Sequence, residues 1–316
     1  MYNSELKEQF IRQHTNNINA AKDYSFFFKS ISKYEEKFEA DLYTFDAEQL
    51  KSSLAKILGI RSSAQRSRIS YAKKYIEWCK DQGFENVSEA IYNVDLCNLE
   101  RLKLNMVPSP LQLQQFLNLV FDPELEETTH NLYRIYFWLA FCGVDEEDVL
   151  KIKASEVDLS KGVIYYKNKE LEIYKQAKPA FKNCIELEQF VFKHPDYMTH
   201  RDRIPGEELI RGVRGEYTVA SLRTAISAIV RKRINDGEQG IRRLSYYRVW
   251  LSGLFYRTYE LEMNGITPDF SEAVFMHLTK EELSLNRRDK GVEFKISRNN
   301  EDYKEDYERW KLVYSL

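Results

Sequence analysis

Over the first ninety positions apolar residues recur every three to four places, the period of a helix with one buried face. Leu6, Phe10, Ile11 and Ile18 open the pattern, and Phe27, Ile31, Tyr34 and Phe38 carry it through residues 24–38. Asp46 is placed to cap a helix over residues 47–58, with Gly59 to stop it. Ser62 or Ser63 caps a longer helix that runs to about Gln82 and ends at Gly83. Ile69, Ala72, Ile76 and Trp78 or Cys79 face one side of it. This predicts four or five short helices forming one domain over residues 1–95. Residues 96–110 end in Val-Pro-Ser-Pro and are expected to form a linker, because the two prolines break any helix.

Beyond the linker the pattern changes twice. Ser109 precedes a helix over about 111–121, and residues 131–142 form a strongly apolar helix closed by Gly143. Gly143 is expected to serve geometry, as a helix end with positive φ or as a point of close packing. Residues 162–167 and 171–174 read as a β-hairpin with a tight turn near Asn168. The remainder reads as helical, with loops around 196–215, 236–240 and 264–269, and residues 299–316 form an amphipathic tail. The expected fold class is therefore mainly α with a small antiparallel β-sheet. It has two domains, 1–95 and 111–316, joined by the linker.

Composition narrows the function classes. The 316 residues carry a net charge of −2, so the chain is not basic throughout, yet its charge is segregated. Residues 51–80 hold eight lysines or arginines against one acid, Glu77, and residues 211–257 hold ten against three. Two such stretches are the footprint of two surfaces able to take hold of nucleic acid, or of two solvated helix faces. No apolar run is long enough for a membrane span. The polar N-terminus shows no secretion signal, which points to the cytoplasm. Four scattered cysteines without CxxC spacing are expected to be free thiols, with neither a metal site nor a cofactor.

The candidate chemistry lies in Gly143-Val144-Asp145-Glu146-Glu147-Asp148-Val149-Leu150-Lys151-Ile152. This segment resembles the one in tyrosine recombinases that carries their first catalytic arginine. The frame fits at Gly143, Val144, Asp148, Val149, Leu150 and Ile152, with Asp145 on the arginine position. Lys167 or Lys169 falls where the family has its hairpin lysine. The family's His-x-x-Arg box is matched by Ser245-Tyr246-Tyr247-Arg248, with Ser245 on the histidine and Arg248 retained. His277 falls on the third-box histidine and Asn286 on the nucleophilic tyrosine.

The resemblance implies a helical core-binding domain followed by a catalytic-type domain. In this family a tyrosine attacks a phosphodiester while arginines stabilise the charge that builds up. Replacing a phosphate-gripping arginine by an acid, the histidine by serine and the tyrosine by asparagine implies a scaffold that no longer cuts. Arg248 and His277 are then left to hold phosphate, or Arg248 to pair with Asp145 or Asp148 and His277 to sit satisfied in a core. The expected DNA contacts are Arg61, Arg66, Arg68, Lys73, Lys74, Lys167, Lys169, Arg231, Arg233, Arg242, Arg243, Arg248 and His277. The implied function is sequence-specific binding of double-stranded DNA as a prophage repressor, with a homo-oligomer on DNA and a protein antirepressor or recombinase as further partners. Two alternatives stand beside it. One is an active recombinase using Tyr303 or Tyr307, and the other is an architectural factor that assists a recombinase.

Overall fold

The computed structural model describes residues 1–59, 62–94, 96, 99–121, 128–193, 197–213, 215–268, 270 and 290–316. The chain divides into two compact units, Met1–Leu102 and Lys103–Leu316. It is mainly helical with small antiparallel sheets, as the residue pattern predicts.

The first unit is built from α1 (Ser4–His14), α2 (Ile18–Phe38), α3 (Ala47–Ile57) and α4 (Ser62–Asp81), and the short α5 (Leu99–Lys103) runs across its last residue into Lys103. Asn17 starts α2 by accepting the amides of Asn19 and Ala20. Asp46 and Gln49 form the reciprocal capping box that starts α3. Each places a side-chain acceptor on helix amides that would otherwise have no partner. The periodic apolar faces meet in an aromatic core where Phe10 packs edge-on against Tyr24, Phe28 and Tyr75. Inside this core Lys7 is fully buried between Glu35 and Asp41.

In the second unit α6 (Pro110–Val120) is capped by Ser109, and α7 (Thr129–Cys142) is buried at every residue from Leu132 to Cys142. A helix apolar on all sides has to lie inside its domain. The strands β1 (Val157–Asp158), β2 (Val163–Tyr166) and β3 (Lys169–Glu172) form an antiparallel sheet in that order. Ile164 pairs with Leu171 and Tyr166 with Lys169, so the hairpin turns at Lys167 and Asn168, with φ of 46° and 61°. There follow α8 (Lys178–Ile185), α9 (Val219–Asn235), α10 (Tyr246–Met263) and α11 (Lys290–Tyr314).

One stretch departs from the residue-pattern reading. Gln189–Lys193 and Met198–Asp202 pair as a second antiparallel hairpin, β4 and β5, inside a region expected to be helix and loop. Phe190, Val191 and Phe192 favour a pleated surface, and Phe190 is buried in the main core. Two β-prone runs with Pro195 between them are the signal that the helical reading passes over.

α10 lies so close to α7 that a Cβ on Gly253 would stand 2.0 Å from the carbonyl oxygen of Phe141. That glycine is required by proximity alone, since only a missing side chain lets the two backbones touch. α11 packs in the same unit, with Trp310 fully buried beside Phe255, Tyr307 and Tyr259. Cys79, Cys142 and Cys184 are free and buried, and burial pushes each thiol up to about 12. Cys97 lies outside the described residues. Among the described residues no helix is long and apolar enough to cross a membrane.

Candidate functional site

The turn after α7 is fixed from several sides. Gly143 takes φ 110° and its amide reaches back to Leu139 and Ala140, while the Val144 amide reaches Leu139 at 2.9 Å. This is the left-handed helix end that favours glycine. From α10, the Trp250 indole donates to the Gly143 carbonyl at 3.3 Å and the buried Tyr246 hydroxyl donates to that of Val144 at 2.8 Å. The backbone that delivers Asp145 is therefore held by two aromatic side chains.

Asp145 does not stand open to solvent as a lone acid. Lys167 reaches both Asp145 and Asp148 at 3.1 Å, and Lys151 reaches Asp148 at 2.7 Å. The Tyr166 hydroxyl bonds both acids, at 3.1 Å and 2.8 Å. Burial alone would push Asp148 up, but the bonds from Lys151, Tyr166 and Lys167 outweigh it and hold the carboxyl at about 2. Burial likewise opposes the charge on Lys167, and its bonds to Tyr166, Asp145 and Asp148 prevail and raise it. The neighbouring Glu146 accepts the Arg223 guanidinium, with Nε at 2.6 Å, and the Tyr136 hydroxyl. Against the effect of burial, these bonds lower its carboxyl.

Asp145, Glu146, Glu147, Asp148, Lys167, Val219 and Arg223 line an open cleft of about 510 Å³. Four carboxylates there face two cations. Ser245 has a visible role of its own as the N-cap of α10, accepting the Arg248 amide at 3.4 Å. Tyr303 lines an adjoining cleft with Asp145, Glu146, Tyr246, Tyr247 and Trp250. Tyr307 is buried and donates to Glu262 at 2.5 Å.

The structure sorts the expected DNA contacts. Arg66, Lys74, Arg231 and Arg243 are exposed, and Lys73 and Lys169 are half-buried, with Lys73 4.9 Å from the centre of the Tyr92 ring. Arg68 donates to the Ile57 carbonyl. Two further arginines bond carbonyls of their own unit. Arg233 holds the Val120 carbonyl at 2.7 Å together with Glu238. Arg242 holds the carbonyls of Lys103 and Met106 at 3.1 Å, and the Tyr314 hydroxyl reaches the same two at 3.2 Å and 2.8 Å. A guanidinium is long and forked enough to satisfy two carbonyls at once. The Arg248 guanidinium bonds Asn105, and the cation on Asp145 is Lys167. Arg61, His277 and Asn286 lie outside the described residues. The reading of residues alone missed Glu146, Tyr136, Tyr166 and Arg223. The one signal for Arg223 is its place in the basic stretch 211–257.

Residues 1–81 match the family model described as the MrpR N-terminal core-binding domain. In solved structures the chain is similar to the XerA recombinase, with 11% identity and a TM-score of 0.37 over 87% of this chain and 90% of that one. A score that low does not by itself define a common fold. No curated protein matches the chain in sequence.

Proposed function

We propose that the chain is a sequence-specific double-stranded DNA-binding protein on a tyrosine-recombinase-like scaffold that no longer cleaves its target. The reading rests above all on the Asp145–Lys167–Asp148 network, which fills with mutually satisfied charge the place where the resembling segment offers an arginine to phosphate. Losing one transition-state donor of this kind costs about a hundred- to a thousandfold in rate, and an acid in its place adds repulsion. Binding needs none of that machinery. Affinity comes from cations on phosphates and specificity from side chains in the grooves. Arg66 and Lys74 on α4, with Arg231 and Arg243 in the second unit, are the exposed cations that support such contacts. The match of residues 1–81 to a core-binding domain supports the same reading. The biological role proposed is transcriptional repression in the cytoplasm of a bacterial host, similar to that of an SPβ-type prophage master repressor. Such a protein would act as an oligomer on its operator and answer to a protein antirepressor or recombinase partner.

Tyr303 gives a second reading one specific support, since it lines the cleft beside Asp145. A recombinase using it would form a covalent phosphotyrosine. Selection from random duplex DNA, followed by incubation with a nicked suicide form of the recovered site, tests both readings. The expected result is a defined motif and no covalent adduct. An adduct that disappears in Tyr303→Phe would overturn the non-cleaving reading, and uniform binding without a motif would make the protein an architectural factor.

A further inference from the structure

The buried charges of the first unit take no part in DNA binding as proposed above. Lys7, Glu35, Asp41 and Tyr75 meet inside the aromatic core with side chains almost wholly removed from solvent. Two carboxylates there face one ammonium. An excess buried charge is costly in a low-dielectric interior, and the cheapest remedy is to bind a proton.

The hydrogen bonds treat the two acids differently. Asp41 accepts four bonds, from Tyr75 at 3.0 Å, Asn3 at 3.0 Å, Lys7 at 3.3 Å and the Tyr43 amide at 3.5 Å. Glu35 accepts through one oxygen only, from Lys7 at 2.6 Å and the Leu42 amide at 3.0 Å. Its other oxygen, Oε2, is buried without a partner. Three further titratable groups surround the cluster: the Tyr2 ring stands 5.6 Å from the Lys7 ammonium, and Asp41 acts electrostatically on Tyr43 and Cys79. None of these supplies a second cation.

We propose that this cluster is a proton switch, in which Glu35 holds a proton in the folded unit and loosens that unit when it gives the proton up. Burial first, opposed by Lys7 and reinforced by Asp41, pushes the Glu35 carboxyl from 4.5 up to about 7. A raised acid stabilises the folded state fully below its unfolded value, and that contribution is lost as pH rises through the folded one. The first unit therefore weakens as pH climbs from about 4.5 to about 7. This holds whether or not the chain binds DNA.

The test is amide hydrogen exchange on the full chain, corrected for intrinsic rates, with the α7 amides as internal reference. From about pH 5 to about pH 8, protection of α2 and α4 should fall at least about tenfold relative to α7, since a carboxyl that must lose its proton changes the folding equilibrium up to about tenfold per pH step between its unfolded and folded values. Glu35→Gln, which mimics the protonated form, should abolish that fall. No fall in the wild type, or an equal fall in Glu35→Gln, would overturn the proposal. Should the variant fail to fold, the wild type still decides the matter through the infrared band of a protonated carboxylic acid. That band should fade over the same pH range, and its absence at the acid end would sink the idea.

Discussion

Both units contain a lysine between two carboxylates, and the two clusters behave in opposite ways. Lys7, Glu35 and Asp41 are sealed in an aromatic core, whereas Lys167, Asp145 and Asp148 are between a fifth and two-fifths exposed. In the first, burial dominates and Glu35 is pushed up to about 7. In the second, burial loses to the donors and Asp148 is held at about 2. A lysine between two carboxylates favours proton uptake in one place and a charged pair in the other. What decides between them is how much water remains and how many donors each acid receives.

The comparison can be broken most forcefully at Lys7. Lys7→Met leaves two buried acids without a cation and should cost about 3–5 kcal/mol in urea unfolding followed through the first unit. A loss no larger than that of a surface variant would show that the core is wetter than its packing indicates.

Gly253→Ala supplies a packing yardstick from the second unit. The added methyl meets backbone at 2.0 Å, which no rotamer relieves, and the expected cost is about 1–3 kcal/mol or more. It should exceed the loss in Lys167→Met, about 1 kcal/mol or less, because that pair is partly exposed and screened. Should Lys167→Met prove the more damaging, the second cluster is as dry as the first.

The same lysine variant sharpens the contrast in pH. Asp148 is depressed, so its contribution is present above its ordinary 3.8 and is lost as pH falls towards about 2. Carbon NMR of the Asp148 carboxyl should show its titration moving up towards 3.8 in Lys167→Met, and an unmoved midpoint would assign the depression to other donors. The smallest effect expected is that of salt. One molar sodium chloride should weaken the second cluster measurably and leave the first unchanged, as read by the two units' unfolding midpoints.

Much of the fold is legible in the residues, and some of the site is not. The Asp46 start of α3, the positive φ of Gly143 and the hairpin near Asn168 follow from local chemistry, and local chemistry is written along the chain. The partner of Asp145 is not local. Lys167 and Arg248 are both available, and the choice depends on the hairpin turning at residues 167–168 so that the lysine leans over the acids. The roles of Arg233 and Arg242 are equally hidden. A sequence displays a guanidinium but not the carbonyls that fold up beside it. Gly253 carries no signal of its own, because a mid-helix glycine announces nothing until its neighbour is known.

The bond from Trp250 to the Gly143 carbonyl gives the motif turn a built-in optical reporter. The three other indoles, of Trp78, Trp138 and Trp310, are buried, whereas Trp250 is half-buried and stacked on Tyr247 at 6.1 Å. A contact quencher such as acrylamide or iodide should therefore select the fluorescence of this one residue. Any ligand or nucleic acid that moves residues 143–148 would register as a change in its quenching, without a label and without altering the chain.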